Sequence, residues 1–158
     1  MLRFPRLTGT LLVGSLLSAT VGITSLGIPE PRFSSWLLPA AYAGQQDPLF
    51  VNLTSDDPHR LRMALSFARA QQRLGHPVTV FLNDRAVLAA SRIRAAALRE
   101  QQGLMAELLA SGGAILVCPL CMTHYGIKEP ELLTGLQIGN PTTTGAALFR
   151  RGSQSLSW

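Results

Sequence analysis

The sequence predicts an α/β domain, a three-layer α/β/α sandwich around a mainly parallel sheet of about five strands. Three observations predict it. Short apolar runs recur at 49–53, 78–82 and 114–117. Stretches with helical apolar spacing separate them, and glycine or proline punctuates the junctions. Alternating strand and helix signals imply parallel strands, because a parallel crossover needs about a dozen residues and packs its helix on the sheet. Right-handed crossovers then leave only a few doubly wound orders.

Each element has its own signal. Leu49 to Leu53 is apolar and closes in Thr54-Ser55, which reads as the first strand. Asp57 before Pro58 is a helix start, with a side-chain acceptor at the cap and proline in the first turn. Leu61, Ala64, Leu65, Ala68 and Leu74 give that helix its apolar stripe. Gly75 ends it and Pro77 bars its return. Val78 to Leu82 is the second strand, ending at Asn83-Asp84. Residues 85–98 are rich in Ala and Arg and read as partly helical, either a helix or a mobile cover. Leu104, Met105, Leu108 and Leu109 define a better helix, closed by Gly112-Gly113. Ala114 to Val117 is the third strand. A short helix over 120–125, a helical turn over 129–133 and a short strand over 136–138 follow. Residues 142–149 read as helical or turn-like, and 155–158 as a closing strand.

The first 43 residues read as a secretory signal peptide rather than as part of the fold. Arg3 and Arg6 make a positive start, Leu7 to Ile28 carries no charge, and Pro39 precedes an A-x-A pattern at Ala41-Tyr42-Ala43. The apolar run is also long enough for an uncleaved membrane anchor, which is the alternative. Cleavage before Gly44 would leave one domain over 44–158, and a bacterial periplasm is the expected destination. Removal of Arg3, Arg6, Arg32 and Glu30 lowers the net charge from +5 to +3. The basic residues are scattered, except for Arg85, Arg92, Arg94 and Arg99, and no aromatic residues interleave with them. That group reads as a solvated helix face, and nucleic acid is not an expected partner.

Ligands of open parallel sheets bind beyond the carboxyl ends of the strands. Four polar groups fall there: Thr54-Ser55-Asp56, Asn83-Asp84, Cys118 to Cys121, and Asn140 to Thr144. Asp57 and Thr142 to Thr144 have sufficient structural roles as helix starts. The chain has two cysteines, both in Cys118-Pro119-Leu120-Cys121. A disulfide between them would close so short a loop that its entropic gain is about 2 kcal/mol before strain. Reactivity is therefore the better reason for the pair. Cys118 occupies a strand-to-helix turn, where backbone N–H groups favour a thiolate and so a nucleophile. Cys121, one turn on, is placed to be the resolving thiol. His124 lies three residues further, beside Tyr125, where it could assist proton transfer. Cys118, Cys121 and His124 are also three possible ligands for zinc or copper. A closed structural site needs four, and His59 and His76 belong to other elements.

Residues 48–158 together resemble the DsrE/DsrF-like sulfur-relay family of small α/β persulfide carriers. The resemblance rests on the opening strand with its Asp-rich turn (52–58), on Leu74-Gly75-His76-Pro77-Val78, on Leu116-Val117-Cys118, and above all on CPLCMTHYGI over 118–127. The family's sulfur-carrying cysteine ends a strand eight residues before a glycine. Cys118 and Gly126 have that spacing, so the resemblance gives Cys118 the role. Cys121 is an addition found in some members. The resemblance implies a homo-oligomer, a trimer or hexamer, with cysteines near subunit interfaces. Two departures stand out. The well-understood members act in the cytoplasm, and a second thiol permits dithiol–disulfide chemistry. Thioredoxin shares a C-P-x-C motif but places it at the head of its first core helix, whereas here the motif follows the third strand.

The expectation is a periplasmic sulfur-handling protein. Cys118 would hold sulfane sulfur as a persulfide, and Cys121 would release it, with His124 assisting. Sulfur donor and acceptor proteins or small sulfur compounds would be the partners, and the protein would be sulfurtransferase-like if active. No cofactor is expected beyond the covalent sulfur, with zinc or copper the alternative, and membrane contact would come only through an uncleaved signal segment. A thiol–disulfide oxidoreductase and a non-catalytic metal- or small-ligand-binding module are the competing readings.

Overall fold

The computed structural model describes residues 46–158. The signal-peptide reading of 1–43 lies outside them. Within them run β1 (Leu49–Leu53), α1 (Pro58–Arg73), β2 (Val78–Leu82), α2 (Arg99–Ala110), β3 (Ala114–Val117), α3 (Pro119–His124), β4 (Gln137–Ile138), α4 (Pro141–Leu148) and β5 (Gln154–Ser157). The sheet has the order β4-β3-β2-β1-β5, and every neighbouring pair is parallel.

That order follows from the connections. The steps β1-α1-β2 and β2-α2-β3 advance in one direction, whereas β4-α4-β5 returns to the opposite edge. Right-handed crossovers therefore put α1 and α2 on one face and α4 on the other, as the three-layer expectation requires.

Side chains of a strand alternate between faces, so one face takes Leu49, Val51 and Leu53 from β1, Val78, Val80 and Leu82 from β2, and Ile115 and Val117 from β3. All are buried, and α1 covers them with Leu61, Ala64, Leu65 and Ala68. Met105 and Leu108 of α2 complete this core. Burying each such aliphatic side chain favours folding by about 1.5–3 kcal/mol, which is why this face dominates the fold's stability. The opposite face carries Phe50 and Phe81, with ring centroids 6.3 Å apart, and buried Leu116. The β4–α4 junction closes on it: a Cβ at Gly139 would stand 2.9 Å from Thr144 Oγ1 and 3.4 Å from Phe81 Cε2.

The caps behave as the sequence predicts. Asp57 Oδ1 accepts from the Arg60 amide at 2.8 Å, and Gly75 takes the positive φ of +97° that ends α1. Asn140 Oδ1 accepts from the Thr143 amide at 2.9 Å, so the threonines do start a helix.

Two local expectations need correction. Leu74 does not extend the apolar stripe; it is the C-cap of α1 and 70% exposed, because its place in the helical turn puts it on the face opposite Leu61, Leu65 and Ala68. Residues 85–98 are partly helical, as expected, but in 3-10 form, and the arginines do not share one helix face. The chain here forms two 3-10 segments, Asp84–Ala90 and Arg92–Arg94, followed by turns. Arg85, Arg92, Arg94 and Arg99 are exposed but spread over three elements. The small side chains of Ala86, Ala89 and Ala90 let the first segment lie against the core, where all three are buried. Buried Gln102 fastens it by donating to the carbonyls of Ala89 and Ser91 at 3.1 and 2.9 Å.

Candidate active site

The parallel register that pairs Leu82 with Val117 sets the next residues, Asn83 and Cys118, side by side at the carboxyl rim. The Cys118 amide donates to the Leu82 carbonyl at 3.0 Å, so the backbone of the reactive segment hangs on β2. Cys118 then acts as the N-cap of α3, its Sγ accepting from the Cys121 amide at 3.4 Å. Pro119 occupies the first helical turn, where its missing N–H costs nothing. One turn of helix brings Cys121 back over Cys118, and both cysteines are free and partly buried, with the sulfurs 2.8 Å apart.

Cys121 is held from three sides. Its thiol faces Cys118 Sγ and, at 3.1 Å, Asn83 Oδ1, while the Asp84 amide donates to its sulfur at 3.2 Å. A thiol has one proton, so the S–H serves one of the two acceptors at a time. Burial, followed by the hydrogen bond with Cys118, pushes the Cys121 thiol above its ordinary value, and the Asp84 amide opposes that shift only in part. Cys121 therefore keeps its proton at neutral pH.

Asp84 reaches this place by a left-handed backbone, φ +45°, a conformation that aspartate tolerates better than most side chains. Its Oδ1 accepts from the Tyr125 hydroxyl at 2.7 Å, and that bond is the main reason the Tyr125 phenol is raised above its usual value. His124 is exposed, and its ring meets Tyr125 edge-on at 4.7 Å. Among the described residues it hydrogen-bonds to neither sulfur, so its link to the thiols runs only through Tyr125 and Asp84.

Arg85 closes the rim with a two-pronged ion pair to Asp56, at 2.8 and 2.9 Å. Hydrogen bonding to Arg85 holds the Asp56 carboxyl below its ordinary 3.8. A depressed carboxyl contributes stability above its unfolded value and loses it as pH falls through the folded one. Acid titration of the urea midpoint should therefore show a small loss below pH 3.8 that Asp56→Asn removes. Equal acid slopes in both proteins would show that the pair is not coupled to folding.

The geometry gathers Cys118 and Cys121 as the sequence predicts and adds Asn83 and Asp84 as direct partners of Cys121. The sequence placed these two on the rim without giving them a task; the signal for it was that each ends the strand next to β3. Thr54 serves the sheet instead, its hydroxyl donating to the Trp158 carbonyl at 2.7 Å. Among the described residues no three His, Cys, Asp or Glu side chains are placed to hold one metal ion. No described helix is long and apolar enough to cross a membrane.

The model of the DsrE/DsrF-like family matches residues 49–151, more than half of the chain. The chain belongs to the DsrE/DsrF-like family. Solved structures agree on the fold. MTH1491, a protein of unknown function from Methanobacterium thermoautotrophicum, is similar with a TM-score of 0.60 and 17% identity, over 70% of this chain and 98% of its own. The ychN protein of E. coli gives a TM-score of 0.54 and 19% identity, over 72% of this chain and 99% of its own. BT1422, a protein of unknown function from Bacteroides thetaiotaomicron, gives 0.56 and 20%, over 71% and 95%. No curated protein matches. Membership in the DsrE/DsrF-like family is consistent with a general sulfur-relay role.

Proposed function

We infer that this protein handles sulfane sulfur in the periplasm, with Cys118 as the carrier and Cys121 as the resolving thiol. The observation that carries the reading is the asymmetry of the pair. Cys121 is enclosed by Asn83 and the Asp84 amide and raised by burial, whereas Cys118 sits at the strand end as the cap of α3, which supports Cys118 as the site of first attack.

The steps balance as follows. The Cys118 thiolate attacks the outer sulfur of a donor R–S–SH, a Cys118 S–S bond forms, the donor S–S bond breaks, and the electron pair leaves on RS⁻. Cys121 then gives up its proton and attacks Cys118 Sγ, forming the 118–121 disulfide and expelling the terminal sulfur as hydrosulfide. A dithiol reductant supplies the two electrons that reset the pair. An acceptor thiol can instead take the terminal sulfur directly, which needs no reductant. His124, exposed at the end of the same helix, is the group to take the Cys121 proton by way of solvent, because the contact of Asp84 with Cys121 is a backbone amide and relays none. A homo-oligomer, a trimer or hexamer, belongs to the same reading through family membership.

Intact mass of the purified protein before and after polysulfide tests it. The expected result is a gain of one sulfur atom, removed by reductant and mapped to Cys118. A mass that falls only by two hydrogens would replace the carrier with a dithiol–disulfide oxidoreductase.

A further inference from the structure

Cys118 has two sides. Towards α3 it faces Cys121. Towards α4 it forms part of the wall of a separate cleft of about 470 Å³, shared with Phe81, Leu120, Gly139, Pro141 and Thr144. Cys121 does not line this cleft, and neither does any Lys, Arg or His side chain. Its exposed lining is apolar, although Asn140 and Thr144 contribute to it. The volume suits a small molecule rather than a protein segment.

We propose that this cleft binds the donor of the sulfur, and that the donor is an uncharged organic hydropersulfide, R–S–SH, with an apolar R group. This rests on the persulfide reading of Cys118. Bare sulfur oxyanions such as thiosulfate would meet no Lys, Arg or His side chain here and would leave the apolar wall unused. The same apolar lining favours the protonated hydropersulfide over its anion. The protonated form is the one a thiolate can attack, because its outer sulfur carries no negative charge to repel the nucleophile. The hydrocarbon group lies against Phe81 and Leu120, the outer sulfur meets Cys118, and RS⁻ leaves towards the open mouth. The electron and proton balance is that of the loading step above.

The arrangement also separates the two half-reactions in space. The sulfur to be expelled projects into the cleft, and Cys121 approaches Cys118 Sγ from the other side.

The test compares initial rates of sulfur loading on Cys118 from benzyl hydropersulfide, glutathione hydropersulfide and thiosulfate, each corrected for its rate with a free small thiol. The expected result is a preference of at least about tenfold for the benzyl donor, the discrimination an apolar pocket gives for a few carbon atoms. Leu120→Asp, at a position 81% exposed and so safe for folding, should bring the benzyl rate down to parity with the glutathione hydropersulfide rate of the same variant. Binding is read separately in the Cys118→Ser/Cys121→Ser protein, where benzyl methyl sulfide should shift the amide resonances of Gly139, Asn140 and Thr144. Equal corrected rates, or no shifts at those amides, would overturn the donor inference and leave the persulfide reading intact. Shifts without any loading from any donor would overturn the persulfide reading, and with it the donor assignment, leaving an apolar ligand site.

Discussion

Cys118→Ser should load no sulfur from polysulfide, whereas Cys121→Ser should load it and keep it. The difference follows from the two environments. Serine at 118 removes the sulfur that attacks, and Cys121 is a poor substitute because burial holds its proton. Serine at 121 leaves the attack unharmed but removes the thiol 2.8 Å away that would form the disulfide. Persulfide should then accumulate towards one per chain in Cys121→Ser, while wild type cycles through the 118–121 disulfide. Resolution should also quicken with alkali in the wild type, since Cys121 must ionise and its value lies above the ordinary 9.0. Mass spectrometry with peptide mapping reads all of this. Loading in Cys118→Ser together with none in Cys121→Ser would reverse the roles.

Leu82→Ala should be the most damaging of the simple core truncations for both stability and site. Leu82 is fully buried at the end of β2. Truncating such a leucine costs about 2–5 kcal/mol, from lost transfer free energy and the cavity left behind. That is a large share of the roughly 5–15 kcal/mol that holds a domain together. Its carbonyl also anchors the Cys118 amide, and Asn83 follows it directly. The urea midpoint should fall sharply with the slope unchanged, and sulfur loading of the remaining folded protein should slow. A shift of under about 1 kcal/mol would mean that the core relaxes around the gap and that β2 is not the platform described here.

Much of the fold was legible because its signals are local. The apolar runs of β1 and β2, the Asp57-Pro58 start and the Gly75 stop each act within a few residues, and the structure has them where the sequence puts them. The segment 84–98 was not legible, since its conformation is decided by what lies beneath it. Alanines there are small for the sake of the core, and buried Gln102 supplies hydrogen bonds that no local pattern announces. The site divides in the same way. Cys118 and Cys121 meet through one helical turn, which spacing alone reveals. Asn83 and Asp84 reach Cys121 across 38 and 37 positions of chain, so only strand register joins them.

A cysteine rarely serves as a helix cap, yet Cys118 is the cap of α3 and also the atom proposed to change its bonding. Each chemical state of that sulfur presents a different acceptor to the first turn: thiol, persulfide or disulfide. The helix start thus becomes a gauge of cargo, legible from outside through Leu120, which stands on that turn almost wholly in solvent. A partner that touches this turn would sense a full carrier from an empty one without touching the sulfur, and hydrogen exchange at the Cys121 amide would record the same difference in solution.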